Sequence, residues 1–565
     1  MIKPYLPQND PNPQRRQEWL NRNREQYEFD LDYLYPIPYL KQLPIGENFS
    51  TRYLAQATSA FSKLNANTLA AKFHSLWDPL NKLQDYEDFF PILPRPSVIK
   101  TYQSDNAFAQ QRLCGVNPMV LSRIRGQMPA HIQFFLKDVQ VKFGKSLELE
   151  KLLKEGNLYL ADYTSLSFIK GGTYQRGRNY LPTPIAIFCW QSSGYSDRGQ
   201  LVPIAIAIDP TQNTHFLTPF DQPVSWSFAK LCVQIADANH HEMSSHLSRT
   251  HLAMAPFAIA VPGGASPIAS ARHLAENHPL SLLLKPHFRF TLVINNAARA
   301  SLIQEQGPVD ELLAGSLNES LTIAKDSFKT WSLDQFAFPK EIANRGMDDV
   351  KQLPHYPYRD DGMLVWNALK KFVSGYLRLY YKTPDALSQD LELQNWTKSL
   401  FDLFSLKGMN AVGVTRGKGM LARIETVEQL IDIVTAIIFT CGPQHAAVNF
   451  PQYEYMAFTP NMPFALYQPM TEDFSVPTKD NLMPFLPPPH QASGQLSTTY
   501  LLSSFRYDKL GHYAQEFQDL AAQNLVIQFQ QDLNVVELEI EKNNRSRLIE
   551  YNYLKPSLIP NSISI

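Results

Sequence analysis

The sequence predicts a mainly α-helical protein with one small antiparallel β unit, and three observations carry that expectation. From Trp226 onward apolar residues recur at helical spacing for most of the chain. Leu181–Asp209 instead holds two β-rich runs, TPIAIFCW and LVPIAIAID, around the polar, Gly-containing QSSGYSDRGQ, which reads as a hairpin. Over 565 residues, 44% are apolar and 19% charged, enough for a large packed core.

In chain order, Asn12-Pro13 supplies an N-cap and a first helical position for a polar helix through Gln14–Phe29. A Pro-rich turn follows at Tyr35–Pro44, then a helical pattern from about Phe49 to Trp77. Within it, Leu69, Phe73, Leu76 and Trp77 fall at i, i+4, i+7 and i+8, one apolar helix face. The run FFPILPRP closes this region, so residues 1–95 are expected to form an N-terminal helical extension and 96–565 the main domain. The apolar face is expected to pack on the main body; contact with a membrane surface is the alternative. Later breaks are VPGGASPIAS and PFLPPPHQ, and the apolar run Leu430–Cys441, too short to span a bilayer, reads as a buried helix.

A net charge of −1 gives no electrostatic case for binding nucleic acid. The four cysteines, Cys114, Cys189, Cys232 and Cys441, are widely spaced and form no CxxC pair. They read as reduced core residues, which fits a cytoplasmic location. The N-terminus MIKPYLPQNDPNPQRR lacks the apolar stretch of a secretory signal.

Of 14 histidines, half lie between positions 240 and 287. Buried imidazoles must satisfy two nitrogens and avoid a charge, so such a cluster points to a transition-metal site. Three pairs share the spacing H-x4-H: His241/His246, His246/His251 and His273/His278. On a regular α-helix residues five apart sit about 140° from each other, so such a pair converges on one ion only where the helix widens. If His246 and His251 are co-ligands, their helix must contain a π-type turn. In CGPQHAAVNF, His445 and Asn449 share one face at i and i+4, and Pro443 implies a kink or widened turn just before them. Imidazole-rich ligation suits Fe, Zn, Cu or Ni. The chain ends KPSLIPNSISI, apolar up to Ile565; a buried terminal carboxylate needs a cation or dense hydrogen bonding.

SHLSRTH, HAAVNF, NPMVL after CGV, HPLSLLLKPH, INNAAR and the ending PNSISI, in that family's set of elements and order, resemble a lipoxygenase from about Ser104 to Ile565. The resemblance implies a lipoxygenase-like helical catalytic domain and a non-haem iron held by His246, His251, His445, Asn449 and the carboxylate of Ile565, with manganese the lesser alternative. It implies a dioxygenase in which a metal-bound hydroxide takes a hydrogen atom from the CH2 between two cis double bonds of a polyunsaturated fatty acid, before O2 adds to give a hydroperoxide. By the same alignment Glu242 and Gln452 match a polar pair linking the metal-bearing helices, and Ala298, Leu302 and His241 are placed along the substrate channel. An alanine at position 298 accompanies S products in the family.

Two departures stand out: the VPGGASPIAS loop looks inserted, and residues 1–95 are too few and too helical for the lipid-directed β-barrel of many eukaryotic relatives. The compact form found in bacteria is expected. His273, His278 and His287 are expected to be structural, with His278-Pro279 marking a helix end, and Arg299 to pair within the core. Competing readings are a hydroperoxide isomerase with the same ligands and a lipid-binding protein without catalysis.

Overall fold

The computed structural model describes the chain except residues 1–2, 45–46, 76–79, 145–146, 175–176, 192–198, 211–215, 261–272, 471–481 and 514–516. The VPGGASPIAS insertion lies outside the described residues. Helices dominate, as the spacing predicts, around one five-stranded sheet, with two further two-stranded ribbons among the described residues.

Helix α1 (Pro13–Gln26) starts where Asn12 caps it, its side chain accepting from the Arg15 N–H at 3.3 Å. The helix is bound to the main body by a buried ion pair: Arg16 bonds both Asp10 (2.7 Å) and Glu392 (2.5 Å). Helix α2 (Thr51–Ser75) buries Tyr53, Ala60, Leu64, Asn67 and Ala71 and leaves Leu54, Phe61 and Leu69 facing out. Leu69, the first residue of the expected apolar face, does not pack inward: it is 60% exposed. The side chains of Phe73, Leu76 and Trp77 lie outside the described residues. The physical reason is Asn67. Its buried amide donates to Phe89 O at 2.8 Å and accepts from Ile92 N and Leu93 N, pinning the FFPILPRP segment. A residue two positions on then points away from the core.

The hairpin forms as expected. Strands β1 (Ser122–Arg123), β2 (Leu158–Asp162), β3 (Ile185–Gln191), β4 (Gln200–Ala207) and β5 (Phe216–Leu217) make one antiparallel sheet in that order. Its strands look continuously apolar because both faces are covered. Ile185, Ile187 and Cys189 face a small core with Ile132, Leu136 and Val139, whereas Ala186, Phe188 and Trp190 join the main core.

Behind the sheet runs α3 (Pro223–His240), which continues as a π-helix over His241–Leu252 and then as α4 (Ala253–Ala260). Against it lie α5 (Thr291–Ser301) and α6 (Leu317–Thr330), and α7 (Pro357–Tyr380) follows them in the chain. Helix α8 (Val427–Phe439) opens with a capping box, Thr426 Oγ1 accepting from Gln429 N and Gln429 Oε1 from Thr426 N. It passes through a second π-helical segment, Thr440–Gln444, into α9 (His445–Asn449). The helical run Val427–Met456 is apolar and long enough to cross a membrane, longer than the Leu430–Cys441 run alone, yet 94% of its most apolar window is buried in the molecule. It is the core helix that the sequence predicts. Helices α10 (Pro489–Ser503) and α11 (Leu520–Asn544) complete the wall before the C-terminal tail.

Candidate metal centre and lipid cavity

Both widened turns anticipated from the sequence are present, and each sits where a histidine needs it. The π-helix His241–Leu252 brings His246 and His251, five residues apart, onto one side, their Nε2 atoms 3.2 Å from each other. The second π segment ends at Pro443-Gln444 and delivers His445 to the same point. One nitrogen from each ring lies within 4.8 Å of the other two. With metal–nitrogen bonds of about 2.1 Å, two ligands at right angles would be about 3.0 Å apart, so the 3.2 Å spacing is that of neighbours around one ion.

The donor set fits a metal for a second reason. Burial holds His246 below the ordinary imidazole range, takes His251 to about 3 and His445 well below its usual value. Three neutral rings present lone pairs. His251 Nδ1 meets Asn295 Oδ1 at 3.0 Å, an acceptor that keeps the proton on Nδ1 and leaves Nε2 free to ligate. Both nitrogens of His445 are buried without a hydrogen-bond partner, and a bound cation would take the lone pair of one of them. Burial pushes Glu242 up, but His241 and His246 beside it outweigh this and bring it down to about 2.

The C-terminal tail reaches the same place. Asn561 is its clamp. Its side chain donates to Asp508, Lys509 O and His512 O and accepts from Gly511 N, while its carbonyl meets His287 Nδ1 at 2.7 Å. Gly442, in the second π segment, gives the tail room: a Cβ there would lie 2.9 Å from Pro560 O. Ile565 ends the tail on the cavity wall, its main chain near enough to His445 to favour that ring's charged form.

Above the cluster opens a cavity of about 380 Å³, within the span of small-molecule sites. His246, His251 and Ile565 line its floor, with Met243, Leu247, Leu313 and Phe464 among its apolar walls. Ala298 and Leu302 of the expected channel are on the lining. At the rim stand Leu54 and Phe61 of α2 opposite Ala297 and Ser301 of α5, all exposed. Among the described residues no lysine or arginine lines the cavity; its charges are Glu242 and the terminal carboxylate.

Some expected placements change. His241 is not on the channel: it is wholly buried and its Nε2 lies 2.6 Å from Val448 O, joining the two helices that carry the histidine cluster. Glu242 faces His246 Nδ1 (3.5 Å) and His241 Nδ1 (3.6 Å), while Gln452 donates to Asn449 Oδ1 at 3.0 Å. No hydrogen bond joins Glu242 to Gln452, so the link between helices runs through His241 instead. Asn449 sits one turn beyond His445, its amide donating to Leu502 O at 2.6 Å; that grip fixes the direction of its oxygen. His278 caps the start of a helix rather than marking an end, accepting from Leu280 N and meeting Asp390 at 2.9 Å. Arg299 stacks 3.4 Å from the Tyr33 ring centroid, but both are only half-buried, so the pairing expected within the core lies at its edge. Asn295 and Asn561 were not singled out from the sequence, although both lie inside motifs, INNAAR and PNSISI, that carry the resemblance.

Comparison with known proteins agrees with this geometry. The lipoxygenase family model matches residues 52–553. The allene oxide synthase-lipoxygenase protein of Plexaura homomalla is 30% identical over 546 residues, 91% of this chain and 49% of its own length, so this chain spans about half of it. The linoleate 9/13-lipoxygenase of Pseudomonas aeruginosa is 31% identical over 511 residues, covering 86% of this chain and 70% of that one. An anaerobic crystal structure of a lipoxygenase in complex with arachidonate superposes with a TM-score of 0.88 at 28% identity, covering 100% of this chain and 83% of the other. On the family match, these relatives and the shared architecture, the chain belongs to the lipoxygenase family.

Proposed function

We propose that this chain converts polyunsaturated fatty acids and O2 to lipid hydroperoxides, using one non-haem iron held by His246, His251, His445, Asn449 and the Ile565 carboxylate. The observation that carries the reading is a cluster of three neutral imidazoles at the floor of a greasy cavity, one ring having both nitrogens unpartnered. Iron bound there supplies one-electron redox chemistry for a weak C–H bond between two double bonds; manganese is the lesser alternative. The protein's own part is to hold the acyl chain across the floor, with Ala298 and Leu302 against it, and to keep water from the radical. Rapid O2 uptake with linoleate, with one hydroperoxide formed per O2 consumed, is the expected result. Turnover of added hydroperoxide alone would make it an isomerase, and failure to retain any metal would make it a lipid-binding protein.

Among the described residues no lysine or arginine stands on the cavity wall, and such a wall does not hold an ionised head group at depth. The substrate therefore enters methyl end first, its carboxyl group staying at the rim. Methyl linoleate is expected to be oxygenated within about tenfold of the free acid's kcat/KM and at the same carbon. Rejection of the ester by more than about 100-fold, roughly 2.7 kcal/mol, would reverse the orientation.

The rim also gives the reading for membranes. Leu54 (50%) and Phe61 (51%) project from α2 at the mouth of the cavity, and Leu69 (60%) is exposed about two turns further along the same helix. The unpaired cysteines support a cytoplasmic enzyme, one that touches bilayers through this face. Phosphatidylcholine vesicles are expected to co-sediment with the protein with little dependence on salt, and to lose it when Leu54, Phe61 and Leu69 are all changed to Ser. Equal binding by both proteins, or by neither, would remove the contact.

A further inference from the structure

We propose that Thr250 is a positioning residue that sets the spacing between the two metal-bearing helices, through a hydrogen-bonded chain running behind the three histidines; the proposal rests on the reading of those histidines as metal ligands. Each ring is preceded in sequence by a buried polar residue: Ser245 before His246, Thr250 before His251 and Gln444 before His445. These three are bonded to one another. Thr250 Oγ1 donates to the carbonyl of Ser245 at 2.9 Å, and Gln444 Nε2 donates to Thr250 Oγ1 at 3.2 Å. Gln444 Nε2 also lies 3.5 Å from the Arg249 carbonyl.

The roles follow from what a hydroxyl carries. It has one hydrogen and two lone pairs, so once the hydrogen goes to Ser245 O, the oxygen is left to accept from Gln444. The first bond spans five residues, the same offset as His246 to His251, and staples the widened turn that makes those rings converge. The second crosses to the other π segment, one residue before His445. Thr250 and Ser245 are wholly buried and Gln444 is 3% exposed, so water does not replace either bond when the hydroxyl is removed. Ser245 is tied further back, its Oγ donating to Asn117 Oδ1 at 2.9 Å. The side chains facing the ion and the chain behind them are thus two aspects of the same turns, and a slip in one moves the other.

Thr250→Val keeps the shape and removes the hydroxyl. It is expected to weaken Fe(II) binding, measured in competition with a chelator, by about 10- to 100-fold, the usual effect of losing a group that orients a ligand. Thr250→Ser, which restores the hydroxyl, should return binding to within a few-fold of wild type. Gln444→Met cuts the same bond from the other helix and should reproduce the loss, so the question is decided even if Thr250→Val does not fold. In the metal-free protein the thermal shifts of Thr250→Val and Gln444→Met should be less than additive in the double variant. Wild-type Fe(II) affinity in both single variants, additive shifts, or failure of Thr250→Ser to recover binding would overturn the proposal. A wild-type protein that binds no Fe(II) or Mn(II) would instead defeat the metal reading beneath it.

Discussion

Deleting Ile565 is expected to release the metal and lower turnover by more than about 100-fold, beyond the effect of disturbing a group that only orients a ligand, with the fold intact. The tail is fastened upstream of its end. Asn561 makes its bonds to Asp508, Lys509, His512, Gly511 and His287 whether or not the last residue is present. The segment therefore cannot slide forward, and the new terminal carboxylate on Ser564 stops one residue, about 3.3–3.6 Å, short. A C-terminal tag acts in the same way by converting the carboxylate into a peptide. Ile565→Val keeps the carboxylate and most of the apolar contact, and should hold iron like wild type. Iron per chain, O2 uptake on linoleate and thermal melting together decide the matter. Full iron content after the deletion would take the terminus out of the ligand set.

Much of this centre was legible in the sequence because helical geometry is strict. A five-residue spacing between two rings is useless on an α-helix, so co-ligation of His246 and His251 required the π-helix that is found at His241–Leu252. Pro443 announced the second widened turn by the same logic, since its ring and missing N–H disturb the ladder one turn earlier. The Asn12 cap and the two-sided hairpin were equally local signals.

What escaped the sequence was decided by partners far along the chain. Asn67 turns α2 because Phe89, Ile92 and Leu93 close around its amide, and periodicity cannot see a polar residue that outcompetes a leucine for the inward face. His241 belongs to the H-x4-H pattern as fully as His246 does, yet its nearest acceptor is Val448 O, 207 residues away. Asn295 and Asn561 are ordinary asparagines in sequence; only the fold puts one beside His251 and the other at the root of the tail. The three clustered histidines could be named from their motifs, but the groups that aim them could not.

The largest loss of stability is expected from Asp237→Ala, about 3–5 kcal/mol, the cost of leaving a buried partner charge uncompensated. Asp237 and Arg112 face each other at 3.0 Å with neither side chain exposed to solvent. Asp237 Oδ1 also accepts from Asn117 Nδ2 at 2.8 Å, and Asn117 in turn accepts from Ser245. Removing the carboxylate thus strands a guanidinium in the core and loosens the strut behind the His246 turn. The decisive comparison is with the double variant Arg112→Met/Asp237→Leu. If the pair is needed only because one charge is intolerable without the other, the double variant should unfold at a higher urea concentration than Asp237→Ala. Its iron affinity should nevertheless stay below wild type, because an apolar pair refills the volume but removes the shorter of Asn117's two contacts, leaving its amide only His240 Nδ1 at 3.1 Å. A double variant as unstable as Asp237→Ala would mean that packing around Arg112, and not its charge, holds this part of the core. One with wild-type iron affinity would mean that the Asn117–Ser245 bond keeps its aim without help from beneath.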